Sequence, residues 1–335
     1  MNRLLMLSVF GISMLSSGVA GSEEMATLGR IERLDPAFDR LVVQDAAIEL
    51  LVANRFEWAE GPVWDAAGRR VLFSDVPRNM IWEWSQQSGL KEFLKPSGYT
   101  GEATFTGREP GSNGLAFNKA GELVMCQHGD RRIAKWVDGK FVTLVDRYAG
   151  KRLNSPNDLA IRSNGDVYFT DPPYGLPGHT ADPGRELDFQ GVYRLNAQGD
   201  LALLTRELQR PNGLAFSPDE KTLYVANSEP EKAVLMAFPV RPDGSLGKGK
   251  VFFDVTAAVG KQRPGLPDGL KVSTDGTVWA SGPGGVLVYS SQGKHLGTLA
   301  TGVATANLAF GEDGGTLYLT ADKNLVRVRT KVRGW

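Results

Sequence analysis

Asn212-Gly213-Leu214-Ala215-Phe216-Ser217-Pro218-Asp219-Glu220 decides how the chain is read. A carboxamide and a glycine lead into a short apolar run, and a Ser-Pro-Asp-Glu turn ends it. Beyond that turn come Thr222 to Ala226 and Val234 to Val240. The turn Asp243-Gly244 then leads to Val251-Phe252-Phe253. Short runs rich in Val, Leu, Tyr and Phe, bounded by Gly, Asp, Asn and Pro, are strands. Asn164-Gly165, Asp138-Gly139, Asp275-Gly276 and Asp313-Gly314-Gly315 repeat the same punctuation, and no helical period of ten or more residues interrupts it.

The opening phrase recurs. Its other copies are Glu60-Gly61-Pro62-Val63-Trp64, Asn113-Gly114-Leu115-Ala116-Phe117, Asn157-Asp158-Leu159-Ala160-Ile161, Asp268-Gly269-Leu270-Lys271-Val272 and Asn307-Leu308-Ala309-Phe310. They repeat at roughly 40 to 55 residues between about residues 57 and 330, a period that belongs to propellers and arrays. Six units of about four strands predict an all-β, six-bladed β-propeller. Two packed β-sandwiches are the alternative, and six similar phrases spread over the chain favour one ring. A ring must close, so the strand at Ile48-Glu49-Leu50-Leu51-Val52 is expected to pair with Leu325-Val326-Arg327-Val328. Trp64, Trp82, Trp84 and Trp279 read as packing residues between blades.

The chain has 335 residues, with 38 Lys and Arg against 38 Asp and Glu. Zero formal charge without basic runs argues against nucleic acid or an anionic membrane as partner. Residues 1–20 read as a cleaved signal peptide: Arg3 starts it, Leu4 to Leu15 is apolar, and Gly18-Val19-Ala20 offers a cleavage site. That run is too short to cross about 30 Å of hydrocarbon, so no membrane association is expected after cleavage, and a periplasmic or secreted location follows. Residues 21–45 read as a polar, irregular segment, and 46–335 as the propeller domain. The lone Cys126 forms no internal disulfide and reads as a small buried apolar residue.

If the copies pack around one axis, their lead residues meet in a central channel. One isolated Asn-Gly is a turn former. Several at equivalent places make an oxygen-lined cage instead. Glu60 and Asp268 bring two charges, and Asn157 and Asn212 bring neutral carbonyls, a set that suits Ca²⁺ or a similar hard cation. A thiolate site is excluded, and only His128, His179 and His295 exist for a zinc site. There is no G-x-S-x-G elbow, Walker loop or dinucleotide fingerprint. Gly282-Pro283-Gly284-Gly285 lies between two strands and reads as a hairpin turn. Asn113 and Asn307 have weaker claims on a cation, and Asn113 is expected to hydrogen-bond a substrate. The stretches 97–112, 172–190 and 255–267 exceed hairpin length and are expected to carry specificity or to be plain surface loops.

Glu60-Gly61-Pro62-Val63-Trp64, Ser155-Pro156-Asn157-Asp158-Leu159, Pro211-Asn212-Gly213-Leu214-Ala215-Phe216-Ser217-Pro218-Asp219 and Leu266-Pro267-Asp268-Gly269-Leu270 together resemble the senescence-marker-protein/gluconolactonase/regucalcin-like family. The resemblance covers about residues 50 to 330. Arg147 to Asn154 and Thr170-Asp171-Pro172-Pro173-Tyr174-Gly175 are similar to its bacterial gluconolactonase branch. It implies a six-bladed propeller with one catalytic divalent cation, calcium first and Mg²⁺, Mn²⁺ or Zn²⁺ as alternatives. It implies Glu60, Asn157, Asn212 and Asp268 as metal ligands, with Asp268 also a proton donor and acceptor. Where the animal branch has an arginine that contacts the lactone, this chain has Ser155.

The expected activity is metal-dependent hydrolysis of sugar lactones, with gluconolactone as the type substrate. Asp268 would move the proton of the attacking water. Asp171, at a strand end, and His128, in Gln127-His128-Gly129-Asp130, are further catalytic candidates. Asn113, His128 and Tyr174 are substrate-binding candidates. Hydrolysis of other lactones, aryl esters or phosphotriesters is an alternative, and a non-catalytic calcium-binding propeller is another.

Overall fold

The computed structural model describes residues 25–260 and 262–334. The leader read at residues 1–20 lies outside them. Six antiparallel sheets form a ring, each built outward in chain order from an inner strand. The inner strands are Ala59–Asp65, Ser112–Phe117, Leu159–Ile161, Pro211–Phe216, Leu270–Val272 and Thr305–Gly311, one each for blades one to six. In blade four the others are Thr222–Glu229, Lys232–Pro239 and Lys250–Asp254, the strands the sequence pattern marks. Gly282 pairs with Gly285 across a hairpin, as their flanking strands require.

The ring closes through the N-terminal strand. Glu49–Val52 pairs antiparallel with Asn324–Arg329, with Glu49 opposite Arg327 and Leu50 opposite Val326. The Arg327 guanidinium also donates to Glu49 Oε2 at 2.6 Å. Residues 25–45 hold more structure than an irregular segment. Arg30–Arg33 adds a fifth strand to blade five, and Phe38, on the turn Pro36–Arg40, is fully buried. That strand eluded the sequence reading because its alternation of charge and apolar residues is only four residues long.

The core lies between blades, so middle strands are buried on both faces. All five residues of Val278–Gly282 are buried. Trp82, Trp84, Tyr318 and Leu325 fill the seam between blades six and one, where Trp64 stacks on Tyr318 at 5.8 Å. Phe253 stacks on Tyr289 between blades four and five. Cys126 is fully buried between blades two and three beside Ile133 and Phe169, and burial pushes its thiol pKa up. Truncating such an apolar side chain to alanine costs about 2–5 kcal/mol.

A chain that begins at residue 54 lacks the closing strand and leaves an open edge on blade six. Calorimetry should record a Tm lower by about 10 °C or more, the effect of several kcal/mol at this size. An unchanged Tm would show that the ring does not depend on this closure.

Candidate functional site

The recurring phrase is a β-bulge. Register shifts fall between Glu60 and Val63, Ser112 and Leu115, Pro211 and Leu214, and Thr305 and Asn307. A bulge bends its strand and re-aims a side chain. In blades three and five the ladder starts only at Leu159 and Leu270, after the phrase. The glycines are there because neighbouring phrases touch. A Cβ on Gly61, at φ +47°, would collide with the Asn113 carbonyl, and one on Gly213 with that of Asp268. Backbone bonds join the phrases: Gly114 N donates to Asn157 O at 2.8 Å, and Gly269 N to Ala306 O at 2.7 Å.

These contacts correct one reading. Ala306, not Asn307, occupies the lead position of blade six. Asn307 takes the place of the glycine, as Asp158 does in blade three. Each turns its side-chain oxygen to the next backbone N–H, Leu159 to Asp158 Oδ1 and Leu308 to Asn307 Oδ1, both at 2.8 Å. The two then meet across the axis, where Asn307 Nδ2 donates to Asp158 Oδ2 at 3.2 Å. The lead residues line a cavity of about 550 Å³, and the apolar runs that follow them line a second of about 600 Å³ that also holds Lys271 and Arg333.

The first cavity holds the lead side chains. Glu60, Asn113, Asn157, Asn212 and Asp268 all line it, together with Tyr174. Asn113 Oδ1, Asn212 Oδ1 and Asp268 Oδ1 are buried without a hydrogen-bond partner. Asn212 is oriented: its Nδ2 donates to Ser228 Oγ at 2.9 Å, which donates to Pro267 O at 2.5 Å, leaving Oδ1 free. The Tyr174 hydroxyl lies at Ser228 and beside Asp268, and burial raises its pKa. Burial, with Asp158 and Glu109 adding like charge, pushes the Glu60 carboxyl up to about 8. Burial and the Glu60 charge raise Asp268 well above the carboxylate range. The Lys271 ammonium opposes part of this charge, acting on Asp158.

The donor set passes the test for a hard cation. Two crowded carboxylates and carboxamide oxygens without donors are what such an ion satisfies. Among the described residues no group of three His, Cys, Asp or Glu side chains gathers for a metal.

Two candidates fall outside the cage. Asp171 is fully buried away from the cavity, and its carboxylate accepts the N–H groups of Asn154 and Ser155 at 2.8 Å each. It brackets the segment that delivers Asn157. Asp75 does the same for Glu57 and Trp58 before Glu60, and Asn227 for Arg210 before Asn212. Asp171 is therefore a strut, a role readable from its repeat in other blades. His128 is fully buried behind the cavity wall, with Nδ1 at 3.1 Å from Glu109 Oε2. That contact is close enough for an ion pair but lacks hydrogen-bond alignment, and neither ring nitrogen has a hydrogen-bond partner. Ser155 Oγ donates to Pro172 O at 2.6 Å and accepts from Gly175 N, so it secures a loop instead of reaching substrate. Sequence reasoning missed Glu109, Trp58 and Ser228 in the cavity wall. Glu109 sits in the long loop 97–112, outside the repeat that flagged the others. His179 is exposed, and His295 stacks on Tyr289.

Residues 58–323 match the family described as SMP-30/Gluconolactonase/LRE-like region. Over 322 residues the chain is 40% identical to a gluconolactonase of Zymomonas mobilis, covering 92% of this chain and 88% of that one. It is 26% identical to the pentonolactonase XacC of Haloferax volcanii, covering 78% of this chain and 80% of that one. A solved gluconolactonase from Xanthomonas campestris has a TM-score of 0.79 at 33% identity, covering 93% of this chain and 98% of that one. A calcium-binding regucalcin from Agrobacterium tumefaciens shares the fold, with a TM-score of 0.66 at 19% identity and coverage of 86% and 95%.

The Asp171 strut makes a stability prediction. Burial pushes its carboxyl up to about 7. The folded state therefore holds a proton that the unfolded chain releases near pH 4, and Asp171 makes the fold less stable as pH rises from about 4 to 7. Asp171→Asn keeps one acceptor, turns an N–H₂ against a backbone donor, and should cost about 1–3 kcal/mol at pH 5. The deficit should shrink toward pH 8 in denaturant titrations. A deficit that grows with pH would contradict this.

Proposed function

The chain belongs to the SMP-30/gluconolactonase/LRE-like family, and from that membership we propose that it hydrolyses sugar lactones to aldonic acids with the help of one divalent cation. The observation that carries the cation is the pair of buried acceptor oxygens without a donor on Asn212 and Asp268, in the same cavity as the Glu60 carboxylate. Relatives that act as gluconolactonase and pentonolactonase support the substrate class. Glu60, Asn157, Asn212 and Asp268 would hold the ion, which would polarise the lactone carbonyl and offset the charge that develops on its oxygen. Calcium is the first choice, in keeping with two carboxylates among neutral oxygens and with the calcium-binding regucalcin neighbour. Magnesium, manganese and zinc accept the same donors.

The side chains divide the remaining work. Asp268 lines the cavity and, with the ion beside it favouring its ionised form, accepts the proton of the water that attacks the carbonyl carbon. The new C–O bond forms, the bond to the ring oxygen breaks, and Asp268 returns the proton to the departing alkoxide. Asn113 Oδ1 accepts from a substrate hydroxyl, and Tyr174 offers its hydroxyl at the same wall. Trp58 and Leu266 border the cavity with apolar surface, which limits water beside the ring. The apolar leader at residues 4–15 is the basis for proposing a periplasmic or secreted enzyme.

Glucono-δ-lactone hydrolysis, corrected for spontaneous opening, tests this. Activity should vanish with a chelator and return with one divalent ion. Asp268→Asn should lower kcat by about 100-fold or more. A protein that binds the ion yet gives no turnover above background would overturn the assignment.

A further inference from the structure

Glu109 is the one carboxylate of the cavity wall that the repeat does not supply. It lies on the loop between blades one and two, and its side chain is 31% exposed. That loop is fixed. Asn79 Oδ1 accepts the N–H groups of Ser97, Gly98 and Tyr99, at 3.1, 2.7 and 3.1 Å. Two residues beyond Glu109, Gly111 N donates to Val76 O at 2.9 Å, and Gly111 O accepts from His128 N at 3.1 Å. Tyr99 packs on Phe105 with ring centroids 5.2 Å apart. His128 thus meets the loop twice, through its backbone and through Nδ1 at 3.1 Å from Glu109 Oε2. The fully buried imidazole makes its one side-chain polar approach to that carboxylate.

Glu109 lines the same cavity as Glu60 and Asp268 and is not one of the four residues that would hold the ion. A partly exposed carboxylate at the cavity wall, on a loop anchored by backbone bonds, offers acceptors to hydroxyl groups. Resting on the lactonase reading, we propose that Glu109, on the loop that His128 N anchors, is a specificity-determining residue that accepts hydrogen bonds from the hydroxyls of the sugar ring.

The test compares two lactones of the same ring size, glucono-δ-lactone with hydroxyls and δ-valerolactone without. In the wild type kcat/KM should strongly favour the hydroxylated ring. Glu109→Gln removes the charge at nearly constant shape. It should lower the ratio of the two kcat/KM values by about 10-fold or more, the effect of a charged hydrogen bond. A ratio unchanged within about twofold overturns the proposal. That includes equal losses on both lactones, which would make Glu109 a base or a structural residue. A wild type that opens neither lactone would sink the lactonase reading instead. Calorimetric binding of anhydroglucitol, a hydroxylated ring without a carbonyl, then decides the Glu109 claim by itself. Binding about 10-fold weaker in Glu109→Gln supports it, and equal binding or none in either protein overturns it.

Discussion

Everything in this molecule depends on how closely six inner strands can approach one axis. Adjacent phrases touch backbone to backbone, so that Gly61 and Gly213 leave no room for a Cβ against the next blade. The bulge that admits this approach also turns the preceding side chain out of the ladder and into the channel. Packing and chemistry therefore have one cause. A residue at the lead position reaches the axis whatever its type, and five of the six carry an oxygen there, with Ala306 as the exception.

The electrostatics follow from the same crowding. Glu60 and Asp158 are almost wholly buried and Asp268 is partly so, and loss of hydration raises all three. Lys271 offsets part of this at Asp158. Buried carboxylates with so little compensation either hold protons or hold a cation. The carboxamides of Asn157 and Asn212 tilt that choice, because a proton needs no extra acceptors and a hard ion does. Outside the cage, Asp75, Asp171 and Asn227 tie down the segments that enter the inner strands. Precision at the centre comes from these brackets and from Ser228 behind Asn212.

Much of this was legible in the sequence because the ring repeats itself. The strands of blade four, the closure of Glu49–Val52 on Asn324–Arg329 and the convergence of Glu60, Asn157, Asn212 and Asp268 all follow from a phrase seen six times. What failed lay at the limits of that repeat. Asn307 looked like a lead residue because an oxygen beside an apolar run was the only mark, and a one-residue offset is invisible until Gly269 N is seen to bond to Ala306 O. Asp171 looked catalytic because it ends a strand before Pro172-Pro173, yet Asp75, about as far beyond Glu60, accepts backbone N–H groups in the same way. Glu109 lies in a loop with no copy elsewhere, so only packing against His128 reveals it.

The central claim is that the converged side chains form one cation site. The most direct measurement is calorimetric titration of the chelator-treated protein with Ca²⁺, alongside Asn212→Ala. One ion per chain, bound about 10-fold or more weaker by the variant, is the result the geometry predicts. No binding at millimolar calcium or any of the other divalent ions, or binding that ignores the loss of Asn212, would contradict it.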